Sequence, residues 1–448
     1  MYIILDQGIF DMRNMGQNAL LQAATEHVKK LWPEELIGVT TFAPNLLKIF
    51  FPDVFPVSPD GTHEWHKNRS KYNRIYHLIP STILRVLLEI REEIWHRWPG
   101  FNPGAVCTKL KSWIRPTPTS IESMDNSPND GVGKTPIDKP DYFSVVSGAD
   151  LFIATGSQYM CDHASDTAFQ VLDRLEAAMQ RGIPVAMVGQ GMGPIDDAEL
   201  RARAKEVLPL VDLIFVRERL EAPALLASLG VDPARIMVTG DDAVELAYNA
   251  RADVLGNGIG VSMRCMPSTM VDDVDLPVIR KILGEVAQKH KAELVGLPIS
   301  MSIHERDDRC TKRLLEEYDK TWMSRRKFQK PLAYIKDVQR CRLVVTGTFH
   351  GAVLALAQGI PVICLVRSGL YSNKFNGLAD MFDHGCEVIS LEDEHFQERL
   401  ISSIDLMWRS AEKLRVQLLE SASRQIEWGD AAYQRLFELV ESKKNPAN

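Results

Sequence analysis

The chain has 448 residues, of which 45% are apolar and 25% charged, with a formal net charge of -7 and a sequence pI near 5.9. That length allows two or three domains with buried cores, and that balance excludes a fibrous or wholly disordered chain. The acidic charge excludes a general nucleic-acid grip, which needs clustered Lys and Arg, so an anionic ligand must be held by a few local bases.

In chain order, "MYIIL" is a short apolar run that predicts a strand. A loop with Asn14 and Gly16 follows, then "NALLQAATEHVKKLW", in which Leu20, Ala24, His27 and Val28 fall at helical spacing. Residues 60–115 are rich in Trp, His and Arg, with helical patches such as "STILRVLLEIREEIWHRW"; Trp95 and Trp98 there read as helical core contacts in preference to saccharide stacking. Residues 116–140 carry five Pro and no apolar period, the pattern of a flexible loop. "GADLFIATG" predicts a second strand, followed by the helix "DTAFQVLDRLEAAMQRGI" closing on Gly182. "PVAMVGQGMGP" is a third strand with a glycine-rich exit, "LVDLIFVRE" a fourth and "RIMVTGDDAVEL" a fifth.

After residues 249 to 258 the alternation restarts with "GIGVSMR", "KAELVGLPIS", "CRLVVTGTF" and "IPVICLV", separated by helix-length segments. Residues 392–440 read as two C-terminal helices without a strand between them. The pattern predicts an α/β protein of two Rossmann-like halves: 1–248, with an insertion at about 60–140; 258–390; and C-terminal helices over 391–448. The seven Cys are odd in number with no C-x-x-C pair, so neither a disulfide framework nor a zinc knuckle is expected, and a reducing cytosol fits. The start "MYIILDQGIF" lacks a basic n-region, and the apolar run 351–366 is interrupted by Gln358, Gly359 and Pro361, so neither a signal peptide nor a membrane span is expected.

Ligands of open parallel sheets bind beyond the carboxyl ends of the strands. The residues there are Asn14 and Gly16; Gly156, Ser157 and Gln158; Gly189 through Pro194, including Gln190, Gly191 and Gly193; Arg217; Arg264; and His350. Glycines let backbone N–H groups approach an anion at a helix start, and arginine offers a fork matched to carboxylate or phosphate. Together they predict an anion-binding cleft between two domains. Structural readings stand beside this one. "GQGMGP" is not the dinucleotide fingerprint and is also consistent with a plain turn; Arg217 and Glu218 are also consistent with a solvated ion pair; and His350 is also consistent with a core or helix-cap histidine. "SIHERDD" reads as a charged helix start, with Glu305, Asp307 and Asp308 complementing the dipole, in preference to a metal pair or carboxylate dyad.

The ordered set "NMGQNALLQA", "GADLFIATGSQ", "GIPVAMVGQGMGP", "VDLIFVRE", "TGDDAVEL", "GIGVSMR" and "TGTFHGAVLALAQGIPVICL…SNKFNGL" resembles the polysaccharide pyruvyl transferase family, from the first residues to about residue 390. The resemblance implies a fold similar to GT-B glycosyltransferases: two facing Rossmann-like domains, the donor in the cleft and C-terminal helices packed back on the first domain. It implies transfer of the carboxyvinyl unit of phosphoenolpyruvate to a sugar hydroxyl of an envelope or capsular polysaccharide precursor, typically as a cyclic pyruvate ketal. Phosphoenolpyruvate is then a co-substrate, with no further cofactor and no metal.

His350 matches the family's His-Gly position and is expected to act as general acid and base, since imidazole titrates near neutrality. Arg217, Arg264, Lys374, Gly351 and Thr348 are expected on the donor side. Asn14, Gly16, Gly156, Ser157, Gln158, Gln190, Gly191 and Gly193 are expected on the glycine loops and acceptor side. The implied partners are phosphoenolpyruvate and a saccharide acceptor, without nucleic acid, in the cytoplasm; peripheral association with a lipid-linked acceptor and homo-oligomerisation are left open. Two departures stand out. The family commonly has Arg-x-His-Gly where this chain has Thr348, and often an acid after Asn-x-Gly where this chain has Gln17. Arg367 or Lys374 is expected to replace the lost charge; the alternatives are a GT-B-like glycosyltransferase using a nucleotide sugar, with Glu392 or Glu394 on its ribose, or a non-catalytic homologue.

Overall fold

The protein is described from a computed structural model that covers residues 1–8, 11–62, 140–265, 271–302, 305–324, 329–367 and 369–444. The insertion expected at about 60–140, with Trp95 and Trp98, lies almost wholly outside the described residues.

The first half of the chain runs β1 (Tyr2–Asp6), α1 (Met15–Leu31), β2 (Leu36–Thr40), α2 (Pro44–Phe50), β3 (Phe55–Val57), α3 (Tyr142–Val146) and β4 (Leu151–Ala154). It continues through α4 (Ser165–Met179), β5 (Val185–Gln190), α5 (Ala198–Val207), β6 (Leu213–Val216), α6 (Ala222–Ser228), β7 (Ile236–Val238) and α7 (Ala243–Asn249). Its strands form one parallel sheet in the order β3-β2-β1-β4-β5-β6-β7. Helices cover both faces of such a sheet, which is why β1, β4, β5 and β6 are near-continuous apolar runs, buried at every position.

The second half runs β8 (Gly258–Ser262), α8 (Asp275–His290), β9 (Glu293–Gly296), α9 (Asp307–Leu315), β10 (Thr321–Met323), α10 (Pro331–Val338), β11 (Cys341–Thr346), α11 (Phe349–Leu356), β12 (Val362–Val366), α12 (Gly369–Phe382) and β13 (Cys386–Ser390). These strands form a second parallel sheet, β10-β9-β8-β11-β12-β13. The α/β class and the two Rossmann-like halves are therefore as expected from the alternation, and their arrangement agrees with the GT-B-like architecture that the resemblance implies. Four strands escaped it: β2, interrupted by Gly38; β3, which carries Pro56 at a sheet edge; and β10 and β13, edge strands whose half-exposed residues lack an unbroken apolar run.

Two further corrections follow from packing. In place of two C-terminal helices there is one, α13 (Phe396–Lys444), of 49 residues. Its buried positions, Leu400, Ile404, Met407, Ala411, Leu418, Ala422, Tyr433, Leu436 and Val440, keep helical spacing throughout. A lone Gly429 costs only about 1 kcal/mol against that burial. The helix leaves the second domain's core at Met407, joins a cluster shared by both domains at Leu418 and Ala422, and enters the first domain's core at Tyr433. The expectation of no disulfide also fails, because Cys265 and Cys310 are bonded. They lie 45 residues apart, so no local spacing reveals a pair that only the docking of α9 against the end of β8 brings together. Cysteine usage therefore no longer argues for a reducing compartment.

Where α13 reaches the first domain, the Tyr433 hydroxyl donates to Asp242 Oδ2 at 3.1 Å, and its ring stacks on His27 with centroids 4.1 Å apart; His27 Nε2 lies 2.9 Å from Glu245. Burial pushes the Asp242 carboxyl up to about 7, against the pull of His27. Burial opposes the charge on His27, but Glu245, Asp242 and Asp430 outweigh it and hold the ring above its ordinary value. Both raised groups bind protons more tightly folded than unfolded, so their stabilisation is full below their unfolded values and is lost as pH rises through neutrality. The thermal midpoint of the parent is thus expected to fall more between pH 5 and pH 8 than that of Asp242→Asn; equal slopes would exclude Asp242 as a cause.

Candidate active site

The strand β11 ends at Thr346, and α11 begins at Phe349 just after Thr348, which places His350 in the first turn of that helix. At 9% exposure His350 is buried in the junction between the two domains. It faces the start of α1: a Cβ added at Gly16 would stand 2.1 Å from His350 Nδ1, so only glycine admits the ring here. Asn14 fixes that helix start, its Oδ1 accepting from the N–H of Gly16 at 3.0 Å and of Gln17 at 3.4 Å. The same loop closes the junction. Met15 N–H donates to the Ile299 carbonyl at 2.8 Å, Met301 N–H donates to the Arg13 carbonyl at 3.0 Å, and Asn14 Nδ2 donates to Glu305 Oε2 at 3.1 Å.

Arg217, just past β6, is 4% exposed. Its Nη2 donates to Gln158 Oε1 at 2.6 Å, its Cζ lies 4.0 Å from the Phe349 ring centroid, and its Nη1 is 3.7 Å from Asp241 Oδ2. Gly191 makes room for it, since a Cβ there would lie 2.3 Å from Nη2. The solvated Arg217–Glu218 pair is absent: Glu218 instead caps α6, accepting from the N–H groups of Leu220, Glu221 and Ala222 at 2.7, 2.9 and 2.6 Å. Lys374, on α12, places Nζ 4.7 Å from the same Phe349 ring and has no ion-pair partner among the described residues. Gln158, Gly191, Arg217, Phe349 and Lys374 line a common small pocket.

The remaining expected residues divide. Arg264 is held by both oxygens of Asp307, at 2.7 and 3.0 Å, and also by Glu305, so its charge is already matched. Arg367 pairs with Asp275 at 2.6 Å. Thr348 is 2% exposed, with its hydroxyl in a network with Ser262 at 2.7 Å and Thr346 at 3.0 Å; Gly351 packs beneath, where a Cβ would lie 2.5 Å from that hydroxyl. Gln190 is a buried tie from β5 to the Ala154 and Thr155 carbonyls, at 3.0 and 2.9 Å. Ser157 accepts from Gly191 N–H at 2.8 Å, Gln158 Nε2 donates to the Gly193 carbonyl at 3.1 Å, and Gly156 abuts the Gly189 carbonyl, 2.6 Å from where a Cβ would stand. These loops hold Gln158 and Arg217 in register.

Asp241 and Phe349 were missed. Asp241 follows Gly240 just beyond β7, so the strand-end rule already covered it; Phe349 offered no signal beyond its neighbour. Asp307 does open α9 as expected of "SIHERDD", but it and Glu305 also neutralise Arg264. Burial, then Arg217, Lys374 and Arg264, hold His350 well below its ordinary value; burial, then Arg217 and Arg264, do the same to Lys374. An anion among these groups acts in the opposite sense on both. Among the described residues no group of His, Cys, Asp and Glu is placed to hold a metal ion, and no helix is long and apolar enough to cross a membrane.

Solved structures share the fold. A UDP-GlcNAc 2-epimerase from Neisseria meningitidis bound to UDP-GlcNAc is 11% identical, with a TM-score of 0.53 over 98% of this chain and 100% of its own. The glycotransferase of kitacinnamycin is 10% identical, with a TM-score of 0.50 over 99% and 98%. At such identity the likeness concerns the fold alone, which is that of GT-B-like enzymes. No curated protein matches the sequence. The polysaccharide pyruvyl transferase family matches residues 14–369, a span that opens at the Asn14 cap, takes in Arg217, Asp241 and His350, and closes at the start of α12. With most of its length and the whole His350 junction inside that match, the chain belongs to the polysaccharide pyruvyl transferase family and is a transferase.

Proposed function

We infer that the protein transfers the carboxyvinyl group of phosphoenolpyruvate to a sugar hydroxyl of a polysaccharide or glycoconjugate precursor and closes it to a pyruvate ketal. The observation that carries this reading is the pairing of Arg217 and Lys374 about one aromatic ring, beside a histidine that burial, and then these cations, hold well below its ordinary value. Phosphoenolpyruvate carries a carboxylate and a phosphate. Arg217 suits the planar carboxylate or a phosphate edge, and Lys374 suits phosphate as a compact charge. Lys374 takes the part of the cation that the family places two residues before the histidine, because Arg264 and Arg367 are matched by carboxylates while it is not.

Anion binding raises the affinity of His350 for a proton, and the imidazolium passes that proton to the methylene carbon of the enol. The first sugar hydroxyl bonds to the adjacent carbon and returns its proton to the imidazole, so the ring ends the step charged as it began. Attack by a second hydroxyl expels inorganic phosphate, completes the ketal and releases one further proton. Thermal-shift titration with phosphoenolpyruvate and with nucleotide-diphosphate sugars tests the donor. Stabilisation by phosphoenolpyruvate is expected; stabilisation by the nucleotide sugar alone makes the protein a glycosyltransferase-like enzyme and ends the pyruvyl reading.

A further inference from the structure

Asp241 occupies an unusual place in this junction. Its Oδ1 accepts from Ala243 N–H at 3.0 Å, which anchors the carboxyl group to the start of α7. Its Oδ2 lies 3.7 Å from Arg217 Nη1 and also 3.7 Å from His350 Nε2. A contact of about 3.6 Å or more is not a hydrogen bond, and all three facing atoms are buried without a hydrogen-bond partner. One carboxylate oxygen is therefore poised between two candidate partners and bonded to neither. The groups that bear electrostatically on this oxygen are Arg217, Lys374 and the neighbouring Asp242; those that bear on His350 are Arg217, Lys374 and Arg264.

We propose that Asp241 is a positioning residue that serves Arg217 and His350 alternately, and that an anionic donor engaging Arg217 turns Asp241 toward His350 and loads the ring with its proton. With Arg217 facing Asp241, burial and the nearby cations disfavour a proton on His350. A donor carboxylate or phosphate that takes the Arg217 fork satisfies it in place of Asp241. Oδ2 then accepts from Nε2–H, and the ring takes up one proton from solvent, which is the proton it carries into the transfer. The acid is thus armed only when donor is bound, which protects the site from idle protonation. This rests on the reading of His350 as the acid–base group.

The test is a nitrogen-15 histidine titration of the full chain, with and without saturating inorganic phosphate, the His350 signal being assigned by its loss in His350→Asn. Phosphate is expected to raise the His350 titration by about one pH unit or more in the parent, and by much less in Asp241→Asn, although that variant keeps Oδ1 as the helix cap. Asp241→Glu, which keeps the charge, is expected to recover part of the rise. In steady-state transfer, Asp241→Asn is expected to lower kcat by about 10²-fold with KM within a few-fold, and to move the alkaline limb of kcat to lower pH, because a weaker base loses its proton earlier. A parent titration that phosphate leaves unmoved overturns the proposal, as does an equal rise in Asp241→Asn. If phosphate raises His350 only when Asp241 is intact and yet phosphoenolpyruvate is not turned over, the pairing stands and the pyruvyl reading falls. If transfer proceeds in Asp241→Asn with an unchanged pH profile, the pairing falls and the pyruvyl reading stands.

Discussion

His350→Asn is expected to fold like the parent, to bind phosphoenolpyruvate within a few-fold, and to lose pyruvyl transfer by about 10²–10⁴, the usual contribution of a positioned acid–base group. Asparagine keeps the approximate size and hydrogen-bonding capacity of the ring but has no proton to exchange. The competing account, a histidine kept for the core, predicts the reverse: a lowered thermal midpoint with activity per folded molecule near that of the parent. One feature of the geometry favours the first account. A core histidine has both ring nitrogens satisfied, whereas His350 Nε2 is buried without a partner, 3.7 Å from an equally unpartnered carboxylate oxygen. Unsatisfied buried groups of that kind are enriched where chemistry uses them. Activity retained in a destabilised His350→Asn would sink the catalytic assignment.

How far the sequence reaches can be judged from particular residues. The buried parallel strands are legible because a strand covered on both faces must be apolar at every position, as "LFIA" and "VAMVGQ" are. The strand-end rule then finds Arg217 and His350 without knowing which strands are neighbours. What it misses depends on pairing across the fold. Arg264 reads as a free cation in "GIGVSMR", yet Glu305 and Asp307 arrive from the other side of α8 and β9 to neutralise it. Thr348 reads as a vacated charge position, yet Ser262 and Thr346 turn its hydroxyl into part of a buried network. Asp241 reads as one of two acids opening a helix, and only the distances separate it from Asp242, whose carboxylate turns to Tyr433 and the long C-terminal helix. Gly16 belongs to the same class: its need for glycine arises from a ring 334 positions away in the chain, and a one-dimensional reading sees only a helix start.

Arg217→Ala is expected to weaken phosphoenolpyruvate binding by roughly 10²–10⁴, since two charge-assisted hydrogen bonds of about 1.5–3 kcal/mol each leave with the guanidinium. No neighbour substitutes for it. Arg264 is committed to Asp307 and Glu305, Arg367 to Asp275, and Lys374 offers a point charge without the fork. Arg217→Lys should therefore recover only part of the loss, because the ammonium cannot hold Gln158 and both oxygens of a carboxylate together. A second readout separates this from simple misfolding. Arg217 is the largest charge that depresses both His350 and Lys374, so its removal is expected to move both titrations up toward their ordinary values while donor affinity falls. A general loosening of the junction lowers the thermal midpoint and admits water, which also relaxes the burial that depresses these groups, but it does so in Gln158→Ala as well. Upward shifts confined to Arg217→Ala identify the cation itself. If Arg217→Ala binds phosphoenolpyruvate as tightly as the parent, the donor is held elsewhere and the Phe349 cluster is not its site.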